Sequence, residues 1–432
     1  YEVREPKLRA RAPSGCAPWL EDIVANVDPN TDPTALDRHL QHLSQSGKLV
    51  CPAAPVHFIS DIHADPRALL ESLVLAGVVE LTGSKLKHFA ITPSGLQSTV
   101  VIGGDCLDKG PSNLKLLGLL QRLRQSGLTL RMLAGNHDLR LALGLQCFSA
   151  KRHVMNEHLF VRMGSKTLPL LAEIWRKRLR DQPNPLAQVP TKIQCQEHLL
   201  PGADWAQRFR QAATHIPAPA LEREIARIEE KTATFRDAYK AEGLSLRKVY
   251  AAAVEAQRLF MTPKGEFAWF LKSLDLLWHC GSYLFVHAGL DDDTAVALAN
   301  EGYDVLNRRY RTAFKQDPFG FYASSLGNSL RTKYRPVDFP LTSRGVNAVH
   351  EAGIYAIVHG HRSHSSGQRL ALRSGLLHIE GDVTLDRNTR RKEGLLSRGA
   401  GVTSLLPSGN IVGASADYSA IKVLKTHTEM TT

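Results

Sequence analysis

The sequence predicts an α/β protein with an inserted helical cap, and three observations lead there. Five short apolar runs each stop at a residue able to hold a metal. Between residues 56 and about 145, strand-like runs alternate with helix-like stretches. From 146 to 279 the runs give way to amphipathic helical periodicity. The runs are β-branched and aromatic, of strand length, and too short for helices.

The first run, Val56 to Ser60, leads into Asp61-Ile62-His63, and Val100 to Gly104 leads into Asp105. Leu130 to Ala134 leads into Gly135-Asn136-His137-Asp138. Tyr283 to Val286 leads into His287-Ala288-Gly289, and Ile354 to Val358 into His359-Gly360-His361. Ligands gather beyond the carboxyl ends of strands in α/β sheets. Five strand ends bearing carboxylate, amide and imidazole therefore predict one shared metal centre.

The remaining elements follow in order. Residues 1–15 are polar, basic and Pro-containing, which predicts a flexible arm. Residues 17–50 predict two short helices, with Leu36, Leu40 and Leu43 at helical spacing, Thr34 as N-cap and Gly47 as stop. Helices are predicted from Pro66 to Val78 and from Ser112 to Gln125, and residues 80–99 interrupt them as an insertion of hairpin type. In the cap, helices are predicted over Leu168–Leu179, around Leu221, Ile225 and Ile228, and over Leu246–Met261, with a turn at Gly243. After 365, short runs return, and Pro407-Ser408-Gly409-Asn410 is a strong turn closing an antiparallel hairpin. The resulting domains are 1–50 as arm and short helices, 51–145 with 280–432 as the catalytic domain, and 146–279 as the basic cap.

Composition narrows the function classes. The formal net charge is +12. Residues 151–275 carry 21 Lys/Arg against 14 Asp/Glu, so the surplus concentrates in the cap and favours an anionic partner. No aromatic-interleaved basic stripe supports nucleic-acid binding, and no apolar run reaches the length of a membrane span. The six cysteines are scattered without a CxxC, which argues against a disulfide framework or zinc fingers. Reduced thiols in a cytoplasmic location are the expectation.

The donor types sort into two overlapping groups. Asp61 and His63, two apart on an extended strand end, share a face and can reach one ion with Asp105. Asp105, Asn136, His287 and His361 suit a second ion, with Asp105 as the bridge. Mixed carboxylate and imidazole ligation suits two divalent ions, Mn before Fe or Zn, rather than Ca. Two such ions clamp an in-line displacement at phosphorus and generate a bridging hydroxide near neutral pH. His137 is placed to protonate the leaving oxygen, and Asp108 to orient its imidazole. His359 and His364 read as supporting residues, and Cys106 as a small packed core residue.

The array Asp61-Ile62-His63, Gly104-Asp105-Cys106-Leu107-Asp108-Lys109-Gly110, Gly135-Asn136-His137-Asp138, His287-Ala288-Gly289 and Gly360-His361 resembles the calcineurin-like metallophosphoesterases. Within them it is most similar to the phosphoprotein phosphatase branch, including bacterial protein phosphatases and diadenosine tetraphosphate hydrolases. The resemblance implies a four-layer α-β-β-α sandwich, a dinuclear centre and hydrolysis of phosphomonoesters or phosphoanhydrides. It departs from the family at Lys109, where an Arg usually clamps phosphate; Lys keeps the charge but loses the bidentate fork. Arg140, Arg331, Arg335 and Arg362 are the alternative clamps, and Lys109, Arg140 and Arg362 are the expected substrate contacts. The predicted function is a metal-dependent phosphatase acting on phosphoproteins, on phosphoserine/threonine or phosphotyrosine. The alternative is a dinucleoside polyphosphate or other nucleotide hydrolase.

Overall fold

The computed structural model describes residues 13–146, 151–214, 216 and 218–426. The arm expected at 1–15 lies almost wholly outside them. The described chain divides into two compact units. One comprises residues up to Cys106, Lys115–Asn136 and Leu274 onward; the other comprises Leu107–Leu114 and His137–Ser273.

In the first unit the strands are β1 (Cys16–Pro18), β2 (Val56–Ile59), β3 (Val79–Leu81), β4 (Phe89–Ile91), β5 (Thr99–Ile102), β6 (Thr129–Leu133), β7 (Leu274–Asp275), β8 (Leu277–Cys280), β9 (Tyr283–Val286), β10 (Ala356–His359), β11 (Arg369–Arg373), β12 (Leu376–Glu380), β13 (Gly401–Leu405), β14 (Asn410–Ser415) and β15 (Ile421–Lys425). They form an eight-stranded sheet in the order β1-β15-β14-β13-β2-β5-β6-β7, a five-stranded sheet in the order β11-β12-β10-β9-β8, and the small hairpin β3-β4. The two large sheets share one core. Phe58, Val101 and Leu405 from one meet Phe285, Val358 and Ile379 from the other, all buried. The Phe58 and Phe285 rings lie 6.1 Å apart across that core. This is an α/β sandwich.

The strand directions position the site. β2, β5 and β6 run parallel, as do β9 and β10. Their carboxyl ends therefore fall on one edge of each sheet, and every motif predicted at a strand end emerges there. β2, β9 and β10 are wholly buried and β5 nearly so, which is why they read as continuous apolar runs rather than alternations; in β6 Thr129 and Arg131 are exposed.

Some local expectations change. The helix Pro33–Ser46 is capped by Asp32, whose carboxylate accepts from the Thr34 amide, with Pro33 at the first turn. Thr34 is thus inside the helix, because a Pro pre-set for the first helical position moves the cap one residue earlier. Gly47 ends that helix with φ of 62°. β12 lies apart from the closing hairpin. It pairs parallel with β10 in the five-stranded sheet, whereas β13 and β14 alone form the hairpin around Pro407–Asn410. Cys16–Pro18, expected in no strand, forms an edge beside β15.

The second unit is helical. Leu168–Ile174 continues into a π-helical turn over Trp175–Leu179. Helix Ala218–Ala241 buries Leu221, Ile225 and Ile228, so the amphipathic stripe is a core face. Helix Leu246–Met261 starts at a Ser245 cap that accepts from the Lys248 amide. Among the described residues no helix is long and apolar enough to cross a membrane.

Candidate metal centre

Asp61 follows β2 by two residues, Asp105 follows β5 by three, and Asn136 follows β6 by three. His287 follows β9 directly, and His361 follows β10 by two. Two loops are zipped together by main-chain hydrogen bonds. The amide of Asp61 donates to the Gly104 carbonyl (3.1 Å), that of His63 to Asp105 (2.9 Å) and that of Ala64 to Cys106 (2.6 Å). The amide of Gly360 donates to the His287 carbonyl (2.9 Å), tying the other pair.

The zipping requires unusual backbone. Asp61, His63, Ala64, Asp105 and His361 all have positive φ, between 44° and 66°. Non-glycine residues rarely sit there, and such strain gathers at functional sites. Close approach also demands glycine at two positions. A Cβ on Gly135 would stand 2.0 Å from the Asp105 amide nitrogen, and one on Gly360 2.0 Å from the Ser60 hydroxyl.

The side chains converge. His63 Nε2 lies 3.7 Å from Asp61 Oδ1 and 3.9 Å from Asp105 Oδ2. His287 Nε2 lies 3.5 Å from the other oxygen of Asp105 and 3.3 Å from Asn136 Oδ1. Ligand atoms of Asp105, His287 and His361 all fall within 4.8 Å of one another. Asp105 thus presents one oxygen to each side, facing His63 and His287 respectively. Asp61, Asp105, Asn136 and His287 are at most 2% exposed.

Supporting contacts fix these groups. The Ser60 hydroxyl donates to Asp61 Oδ2 (2.6 Å), and the His361 amide donates to the same oxygen (2.9 Å). His287 Nδ1 lies 2.8 Å from the Gly103 carbonyl, which makes Nδ1 the donor and leaves Nε2 as the lone-pair nitrogen facing Asp105 and Asn136. Burial pushes the Asp61 carboxyl up, His287 opposes this, and Asp105 pushes it further up. A bound cation removes the penalty of two buried carboxylates side by side. The donor set, carboxylate, amide oxygen and neutral imidazole in a water-poor recess, fits a divalent cation of the Mn, Fe or Zn type.

His137, next in the chain to Asn136, belongs to the helical unit together with Asp108. Its Nδ1 lies 2.7 Å from Asp108 Oδ2. Asp108 is itself held, since its amide donates to Asn113 Oδ1 (2.9 Å), and the Leu107 amide donates to Asp138 Oδ1 (3.1 Å). Lys109 is half-buried with φ of 54°. Arg140 lies in the field of Lys231, whose ammonium is lowered to about 7 by burial first and by Arg140 and Arg162 next.

Arg362, expected to contact substrate, is committed elsewhere. It pairs with Asp28 (2.8 Å) and Glu380 (2.7 Å), carboxylates that Arg369 and Arg373 share. This Arg is drawn inward because Glu380, at the end of β12, is wholly buried and needs cationic partners. Arg331 donates to the carbonyls of Tyr322 and Ala323, and Arg335 pairs with Asp338. His359 is buried with Nε2 3.2 Å from His378 Nδ1, and His364 bonds to Glu380 (2.7 Å). Cys106 is buried. Ser60, Gly103 and Glu380 escaped the sequence reading. The Ser before an Asp at a strand end was the only available signal.

Residues 54–227 match the calcineurin-like phosphoesterase family. No curated protein sequence matches the chain. Among solved structures, the cold-active protein-tyrosine phosphatase of a psychrophilic Shewanella species aligns at 16% identity and a TM-score of 0.44, covering 87% of this chain and 83% of its own. A protein serine/threonine phosphatase from Saccharomyces cerevisiae aligns at 12% identity and a TM-score of 0.41, covering 90% and 87%. Identities and scores this low say nothing of substrate. The matched stretch holds Asp61, His63, Asp105, Asp108, Asn136 and His137.

Proposed function

We propose that this chain is a calcineurin-like phosphoesterase, a metal-dependent phosphatase that hydrolyses phosphomonoesters on phosphoproteins. The observation that carries the reading is the convergence of buried Asp105 and His287 with half-buried His361, with Asp61, His63 and Asn136 around them. In the proposal Asp61, His63 and Asp105 hold one divalent ion, and Asp105, Asn136, His287 and His361 hold the other. Such ions, when bound, supply positive charge at the phosphoryl oxygens and acidify water near neutral pH.

The chain's own groups do the rest. Ser60 and the His361 amide fix the Asp61 carboxylate, and the Gly103 carbonyl fixes the His287 tautomer. His137 protonates the leaving oxygen as the P–O bond breaks, so that a serine, threonine or tyrosine hydroxyl departs neutral. Asp108 holds that imidazole in its orientation. Lys109 and Arg140 contribute charge to the substrate phosphate. The surplus of Lys and Arg in residues 151–275 favours a phosphorylated macromolecule over a neutral one.

A substrate panel on the manganese-supplemented enzyme tests the reading. It compares a phosphotyrosine peptide, a phosphoserine peptide and diadenosine tetraphosphate. Hydrolysis of either peptide supports the proposal. Hydrolysis of diadenosine tetraphosphate alone replaces it with the nucleotide reading.

A further inference from the structure

His361 sits at the centre of a three-residue turn. The Arg362 amide donates to the Gly360 carbonyl (2.8 Å), and His361 between them has φ of 66°. A turn of this kind with positive φ at its central residue is rare and strained. It persists only where its surroundings over-determine it. The groups that hold it lie outside the metal centre.

Arg362 carries the first restraint. Its guanidinium bridges two carboxylates, Glu380 at 2.7 Å and Asp28 at 2.8 Å. His364, three residues past His361, lies 2.7 Å from Glu380 Oε2, and its amide donates to the Asp382 carbonyl (3.0 Å). The Gly381 amide donates to the His359 carbonyl (2.7 Å). The loop is thus tied on both sides of His361 to the end of β12.

The second carboxylate comes from far away in the sequence. Asp28 lies in the stretch after helix Ile23–Asn26, which runs along the edge strand β11 of the five-stranded sheet. Val27 bridges to Leu370, the Asp28 amide donates to the Leu370 carbonyl (2.8 Å), and the Leu372 amide donates to the Thr31 hydroxyl (3.1 Å). Asp28 is buried. Its Oδ1 accepts from the Asn30 amide (2.9 Å), while Oδ2 faces Arg362, Arg369 and Arg373 at 2.8, 3.2 and 3.2 Å. Arg369 and Arg373 also bind Glu380. Three guanidiniums therefore share two carboxylates. Removing one carboxylate leaves an uncompensated charge inside the protein. Half-buried Arg362 can relieve it by moving, and Arg362 is next in the chain to His361.

We propose that Asp28, acting through Arg362, is a positioning residue for the proposed metal ligand His361. The stretch before residue 51, which the sequence places outside the catalytic domain, then completes the centre. This role rests on the metal pair of the proposed function and not on its substrate.

Manganese titration of the full chain against a fluorescent chelator tests it, with thermal melts alongside. Wild type is expected to bind two ions, and His361→Ala to lose the one that this histidine holds. Asp28→Asn is expected to bind that same ion about 10-fold more weakly, the low end for loss of an outer contact, and to change the other ion less. Arg362→Lys keeps the charge but loses the fork. It is expected to weaken the same ion, and it decides the matter if Asp28→Asn does not fold. Leu43→Ala opens a cavity in helix Pro33–Ser46 and controls for stability alone. Its melting temperature should fall with both affinities unchanged. Wild-type affinity for both ions in Asp28→Asn or Arg362→Lys, an equal loss at both ions, or as large a loss in Leu43→Ala overturns the proposal. A wild type that binds two ions but cleaves no phosphopeptide fails the substrate reading alone. A wild type that binds no manganese fails the metal reading, and the role of Asp28 falls with it.

Discussion

His137 Nδ1 lies 2.7 Å from Asp108 Oδ2, with both side chains buried. A buried imidazole bonded to a carboxylate has a fixed orientation. His137→Asn is expected to lower kcat by about 10²–10⁴-fold. The loss should be larger for an alkyl phosphate than for p-nitrophenyl phosphate, whose leaving group needs little protonation. Asp108→Asn should show the same leaving-group bias with a smaller loss. A uniform loss across leaving groups would argue against acid catalysis by this pair.

Ser60 donates to the same Asp61 oxygen that receives the His361 amide. Ser60→Ala is expected to weaken metal binding by roughly 10–100-fold, the usual cost of losing an outer hydrogen bond to a ligand. Metal titration with a fluorescent competitor measures this directly. Unchanged affinity would show that the His361 amide alone positions Asp61.

Glu380 binds Arg362, Arg369, Arg373 and His364 inside the protein. Burial pushes its carboxyl up, but the His364 hydrogen bond and the surrounding cations outweigh this and hold it well below the usual range. A depressed carboxyl stabilises the fold above the unfolded-state value and loses that stability as pH falls through the folded value. Glu380→Gln should therefore cost roughly 3–5 kcal/mol near neutral pH, the range for breaking a buried pair. The gap to wild type should narrow as pH falls below about 4, where an unfolded glutamate protonates. Urea unfolding at a series of pH values reads both. A gap that widens in acid would contradict the assignment.

The strand ends were legible because donor residues follow apolar runs of strand length, and parallel pairing then brings those ends to one edge. Asp61, His63, Asp105, Asn136, His287 and His361 meet for that reason. The left-handed backbone at Asp61, His63, Asp105 and His361 was not legible, since nothing in an Asp or His announces positive φ. Arg362 misled because its neighbour His361 is at the centre, whereas its partners Asp28 and Glu380 are distant in sequence. The pairing of the 376–379 run with β10 was not legible either. A short apolar run shows that a strand is buried but not which neighbour it pairs with.

Catalysis is expected to depend on metal held by this cluster. The direct measurement is p-nitrophenyl phosphate hydrolysis by wild type, before chelation, after chelation and after adding back manganese, with Asp105→Asn alongside and metal content measured in each. Activity is expected to be lost on chelation and to recover with manganese, and Asp105→Asn is expected to show neither bound metal nor activity. Full activity in the chelated enzyme, or an Asp105→Asn protein as active as wild type, would contradict it.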